Sequence, residues 1–262
     1  QIYFKWYGGL MRDSLHKFSH IFVQDSSSQA LVKDSGYAQV SIAGDTRFDR
    51  VSRLSKHTEA LPKEIQEILT AFSSEKPLFV GGSVWPEDMD ILGVAFERTA
   101  HNIKFVLAPH KVDKASLETL LQVLPIQLQK QSVWLSKTNP QEASEASVLI
   151  VDRIGILNQV YPLAQIAYVG GGFKTGLHNT LEAAVYGIPL AIGPNFNKFK
   201  EAKDLVALGG IQVINTTENA TQFLELAVEK PFIKQIKGIQ KAYISAQLGA
   251  TSKIMSQIAK YF

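Results

Sequence analysis

Short apolar runs alternate with segments of helical periodicity along almost the whole sequence. The runs cover 20–24, 39–43, 77–82, 103–108, 147–151, 166–170, 189–192 and 211–214. The helical segments cover 26–35, 62–72, 86–99, 114–122, 155–163, 179–186, 198–208 and 218–228. Parallel strands must be joined by crossovers, usually helices, so this alternation points to a mostly parallel sheet. The sequence therefore predicts an α/β fold, a Rossmann-like parallel sheet with helices on both faces. Ligands of such sheets bind at the carboxyl edge of the strands. Turn residues gather where that edge falls: Gly81-Gly82-Ser83, Pro109-His110, Asp152-Arg153 and Gly170-Gly171-Gly172.

Composition removes several classes of function. Hydrophobic residues make up 45% and charged residues 19%, the balance of a folded protein rather than a disordered one. With no cysteine, disulfides, thiolate zinc sites and cysteine nucleophiles are excluded. The net charge of +3 is too small to argue for nucleic acid, but it suits anionic ligands or headgroups. No apolar run reaches the ~18 residues of a membrane span. The histidines (16, 20, 57, 101, 110 and 178) show no helical pairing with a nearby acid, so no metal site is expected. No Gly-x-Ser-x-Gly nucleophile elbow is present. Tyr3, Phe4, Trp6 and Tyr7 read as the inside of a domain, so the sequence is expected to be a piece of something longer rather than a trimmed mature protein. The polar stretch 49–59 reads as a linker, and the last stretch from Ile233 reads as helix divided at Gly249.

Four segments can carry chemistry. In Gly170-Gly-Gly-Phe-Lys-Thr-Gly-Leu-His-Asn-Thr-Leu-Glu182 a strand runs into glycines and a helix starts near Asn179. Free N–H groups at such a helix start suit a phosphate, and Glu182 is spaced to accept from ribose hydroxyls. The same segment also reads as a glycine-rich turn with Asn179 as a plain N-cap. It is not a P-loop, because Leu177 stands where the lysine belongs. The second segment, Gly81 to Glu87, offers Ser83 to a phosphate or, equally, a capping box of Ser83 and Glu87. The third, Pro109-His110-Lys111, either faces an anion or sits at the surface. In the fourth, backbone N–H groups at Gly155, Ile156 and Leu157 either meet a base edge or phosphate, or form an ordinary βα turn.

Together these segments resemble the 3-deoxy-D-manno-octulosonic acid (Kdo) transferases. The resemblance is strongest over Val169-Gly-Gly-Gly-Phe, Gly176-Leu-His-Asn-Thr-Leu-Glu-Ala-Ala, Gly187-Ile-Pro and Gly193-Pro-Asn-Phe-Asn-Lys-Phe. It extends to Phe22-Val-Gln, Val40 through Asp49, Gly82-Ser83 and Glu87. It implies a GT-B fold, with residues 1–48 as the tail of an acceptor domain, 49–245 as the donor domain and 246–262 as a helix returning toward the first. It implies transfer of Kdo from CMP-Kdo to a lipid A precursor at the cytoplasmic face of the inner membrane. No metal or cofactor and no nucleic acid are implied, and the catalytic base is expected outside this sequence. This chain alone is then expected to be soluble and inactive in transfer. CMP contacts carried over by motif are Pro109, His110, Gly155, Ile156, Leu157, Asn179, Thr180, Leu181 and Glu182. Ser83, Gly171, Gly172, Lys174, Gly176 and His178 would support the donor loop. The chain departs from the commoner family pattern at His110, Ile156 and Thr180. Lys111 can replace a lost guanidinium charge but not its bidentate geometry. Two other readings remain: another GT-B protein using a UDP-sugar, transferase or epimerase, and a non-catalytic nucleotide-binding module.

Overall fold

The structure, a computed structural model, describes residues 9–57, 60–73, 75–174 and 176–259. The aromatic opening at Tyr3, Phe4, Trp6 and Tyr7 lies outside the described residues. The chain divides into two compact units. The first holds the described residues up to Arg53 and those from Ile244 onward; the second runs from Leu54 to Tyr243.

In the first unit, helix α1 (Gly9–Leu15) leads into β1 (Ile21–Val23), α2 (Ser26–Asp34), β2 (Val40–Ile42) and α3 (Thr46–Lys56). β1 and β2 pair in parallel, Ile21 opposite Val40. Asp25 caps α2 by accepting from the Ser28 N–H at 2.7 Å. Val32, Tyr37 and Val40 form the small core. The stretch expected as a linker is helical. Phe48 and Val51, three residues apart, are buried, and two contacts are too few to register as a period in a charged sequence. Asp49 on that helix accepts from the N–H groups of Gly249 and Thr251, both at 2.7 Å. Burial raises its pKa, but those backbone bonds win and hold the carboxyl below its ordinary value.

The second unit begins with α4 (Lys63–Phe72) and β3 (Leu78–Val84), then α5 (Pro86–Thr99), β4 (Lys104–Pro109), α6 (Lys114–Gln122) and α7 (Ile126–Lys130). β5 (Ser132–Trp134), α8 (Pro140–Glu145), β6 (Val148–Ile150), α9 (Leu157–Val160) and a 3-10 turn (Tyr161–Leu163) follow. β7 (Ile166–Val169), α10 (Leu181–Ala184), β8 (Leu190–Ile192), α11 (Lys200–Ala207), β9 (Gln212–Val213), α12 (Thr217–Leu226) and α13 (Lys230–Ala246) complete it. α13 ends in the first unit, where α14 (Ala250–Ile258) also lies. The seven strands order as β5-β6-β4-β3-β7-β8-β9, all parallel. β5 was not legible in sequence: it is a three-residue, half-buried edge strand amid glutamines.

The central strands are nearly continuous apolar runs because helices cover both faces. Phe79, Phe96 and Phe105 are fully buried, with ring centroids 4.2 to 5.8 Å apart. Such burial contributes about 2–3 kcal/mol per ring. Parallel pairing brings the carboxyl ends of β3, β4, β6 and β7 to one edge. The chain leaves β3 toward β4 on one side and returns to β7 on the other, so a topological switch point lies there. No helix among the described residues is long and apolar enough to cross a membrane.

Candidate functional site

The switch point is closed by contacts that only glycine permits. A Cβ on Gly170 would stand 2.4 Å from the Ser83 carbonyl, and one on Gly172 would stand 2.6 Å from Gly193 Cα. Gly171 has φ +90, and a Cβ there would meet the Gly176 carbonyl at 2.3 Å. Gly82 lets the Tyr161 hydroxyl and the Leu157 side chain lie against β3. Burial, and then the Glu182 charge, keep that phenol protonated far above its ordinary range.

Asp88 ties the two turns together. Its carboxylate is 1% exposed and accepts from Tyr168 Oη at 2.7 Å, Trp85 N–H at 2.8 Å and Gly171 N–H at 3.2 Å. Burial raises its pKa, and the three hydrogen bonds offset part of that rise. The expected capping box of Ser83 and Glu87 is therefore shifted. Trp85 is the N-cap, Pro86 opens α5, and Asp88 supplies the box carboxylate. Ser83 takes left-handed backbone, φ 52, which re-aims the strand end. Glu87 instead pairs with Lys174 at 2.6 Å, a bond that lowers its pKa, while its Oε2 is buried without a partner.

Over this frame sit three rings. His110 stacks on Trp85 at 4.5 Å and on His178 at 4.4 Å. Trp85 Nε1–H donates to His178 Nε2 at 3.4 Å, so neutral His178 carries its proton on Nδ1. Burial, and then the neighbouring His110, lower the pKa of His178. Beside the stack, Val84, Trp85, Glu87, His110, Lys111 and the Ser116 face of α6 line a cavity of about 300 Å³. Lys111 Nζ lies 5.9 Å from the Trp85 ring centroid.

Next to His178, Asn179 Nδ2–H donates to Glu182 at 3.0 Å, and Asn179 Oδ1 accepts from Leu181 N–H at 3.2 Å. Asn179 thus orients the Glu182 carboxylate and fastens the start of α10. That helix starts at Leu181 rather than near Asn179 and has only four residues. Thr180 and Leu181 are fully buried, so their side chains are not open to a ligand, and Thr180 Oγ1 has no partner. Gly155, with φ +88, precedes α9, which is shorter than expected and ends in the 3-10 turn. Ile154 beside it is 84% exposed. Ser83, Pro109, His110 and the glycine loop are thus brought to one place, and Gly155, Ile156 and Leu157 to the same edge. Among the described residues no group of His, Asp and Glu is placed to hold a metal ion. Trp85, Asp88, Tyr161 and Tyr168 were not singled out in sequence; the Trp85–Asp88 spacing of a capping box was the one available signal.

No family model matches the chain. It is 34% identical over 161 residues to a 3-deoxy-D-manno-octulosonic acid transferase of Aquifex aeolicus (strain VF5), covering 59% of this chain and 43% of that protein. It is 22% identical to the transferase of that name in Rickettsia bellii (strain RML369-C), over 97% of this chain and 60% of the other. The curated proteins it resembles in sequence are Kdo transferases. It spans about half the length of the curated relatives it matches. The solved C-terminal CMP-Kdo binding domain of WaaA from Acinetobacter baumannii aligns with a TM-score of 0.57 and 16% identity, over 74% of this chain and 96% of that one. The likeness shows the fold, an α/β domain of the GT-B kind. At two positions where the sequence departs from the resemblance, His110 is a stacked ring and Lys111 a cation lining the cavity.

Proposed function

We propose that this chain binds the donor CMP-Kdo and serves transfer of Kdo to a lipid A precursor. The observation that carries the reading is the Asn179–Glu182 pair at the carboxyl edge, beside the switch point. Glu182 faces the ribose hydroxyls, with Asn179 fixing its carboxylate. The backbone of the Gly155 turn meets the cytosine, so the Ile156 departure leaves that contact intact. The N–H groups around the glycine loop and Asn179 take the phosphate. Charge builds on departing CMP as the bond to Kdo breaks, and fixed dipoles aimed there lower the barrier. The reaction needs no metal in this reading, and the base for the acceptor hydroxyl is assigned to none of these residues. The lipid acceptor implies work at the cytoplasmic face of the inner membrane.

Titration of the chain with CMP and separately with UDP, read by amide NMR, tests this. CMP is expected to bind more tightly, with shifts centred on Gly155 and 179–182. Glu182→Ala is expected to weaken CMP by about tenfold, the worth of one charge-assisted hydrogen bond. A preference for UDP would move the reading to a UDP-sugar protein, and binding of neither would overturn it.

A further inference from the structure

Helix α13 carries Lys230, Lys234, Lys237 and Lys241, in steps of four, three and four residues. That spacing sets them in one row along the helix. All four are exposed. The helix contains no Asp or Glu. Lys230 with Lys234, and Lys237 with Lys241, are like charges at i,i+4, an arrangement that weakens a helix. Elsewhere the same spacing holds opposite charges: Lys63 with Glu67, Lys114 with Glu118 and Lys200 with Asp204. None of the four α13 lysines makes an ion pair with a described residue.

The helix that carries the row is anchored. Ile236 and Gln240 are fully buried, and Gln240 Nε2 donates to the carbonyls of Gly210 at 2.8 Å and Ile188 at 3.1 Å. The Lys237 stem lies over Gly187, where a Cβ would meet its Cγ at 2.8 Å. The lysines therefore point outward from an anchored rod, over about 16 Å. Aromatic rings for base stacking are missing from that face, since Phe232 and Tyr243 turn toward the body of the unit and are half-buried. A straight row of exposed cations along one helix matches a plane of negative charge better than a single phosphate.

We propose that the Lys230–Lys241 face of α13 is a docking surface for an anionic lipid layer. The inference goes beyond donor binding and does not depend on it. The repulsion built into the helix is relieved when headgroup phosphates lie along the row. The arrangement orients the second unit against a bilayer through a solvent-facing helix.

The test is co-sedimentation of the full chain with vesicles of phosphatidylcholine, with and without about one-third phosphatidylglycerol. Binding is expected only with the anionic lipid, and it weakens as salt rises. Each Lys→Gln change at 234, 237 and 241 is expected to weaken binding about fivefold. A triple Lys→Arg variant at the same positions keeps binding, which separates charge from folding; circular dichroism checks the helix in both. A control with Lys63→Gln and Lys114→Gln removes charge elsewhere and is expected to bind as the parent does. Absent binding to anionic vesicles overturns the proposal, as does equal loss in the control. Displacement by inorganic phosphate at constant ionic strength overturns it too, since that would mark a small-anion site.

Discussion

The two sides of the carboxyl edge are built on opposite principles. Around the switch point, Gly170, Gly171 and Gly172 touch backbone at distances no Cβ tolerates, and Asp88 binds three donors inside the protein. At the turn after β6, a Cβ on Gly155 would meet nothing within 4 Å, and Ile154 is almost wholly exposed. Both turns are glycine turns in the sequence, yet one glycine set exists for packing and the other for backbone angle. The locked side can present fixed dipoles to a phosphate without reorganising. The open side is where the proposed donor reading puts the nucleobase, beside the exposed Ile154.

Substitutions can break this contrast. Gly172→Ala forces backbone against the Gly193 backbone and is expected to cost about 3 kcal/mol or more by urea unfolding. Asp88→Ala leaves the Tyr168 hydroxyl and the N–H groups of Trp85 and Gly171 without their acceptor. Its expected cost is about 2 kcal/mol, with the Trp85 indole resonance moved as the ring stack loosens. Gly155→Ala meets no neighbour, so only the positive φ is strained and about 1 kcal/mol is expected. Equal losses at Gly155 and Gly172 would erase the distinction between the two sides.

The smallest expected effect is in pH dependence. His178 has a folded pKa below its ordinary 6.5, so between the two values the unfolded chain binds more protons. Its contribution to stability is complete above 6.5 and is lost as the pH falls through the folded value. His178→Gln is expected to flatten that acid limb of the stability profile. An unchanged limb would show that the ring stack does not restrain His178.

Most of the sheet was readable, because buried parallel strands such as Leu78–Val84 and Ile166–Val169 are continuous apolar runs. The edge strand at Ser132–Trp134 escaped, since a half-buried strand of three residues has no pattern to show. The stretch 49–59 reads as a linker yet lies largely in the helix Thr46–Lys56, which shows no period because Phe48 and Val51 are its only buried residues. In the candidate site, Asn179 and Glu182 were legible from their place after the glycines. Asp88 was not, because a carboxylate in the first turn of a helix ordinarily faces water.

Local patterning along the chain was thus enough to specify strands, helices, glycine turns and the edge where a ligand belongs. Those properties depend on residues close in sequence. The neighbours across the switch point had to come from tertiary packing: Asp88 under Gly171, Tyr161 over Gly82, and His110 between Trp85 and His178. These partners are brought together only when β7 returns to lie beside β3, and no local period encodes which strand a later strand will choose.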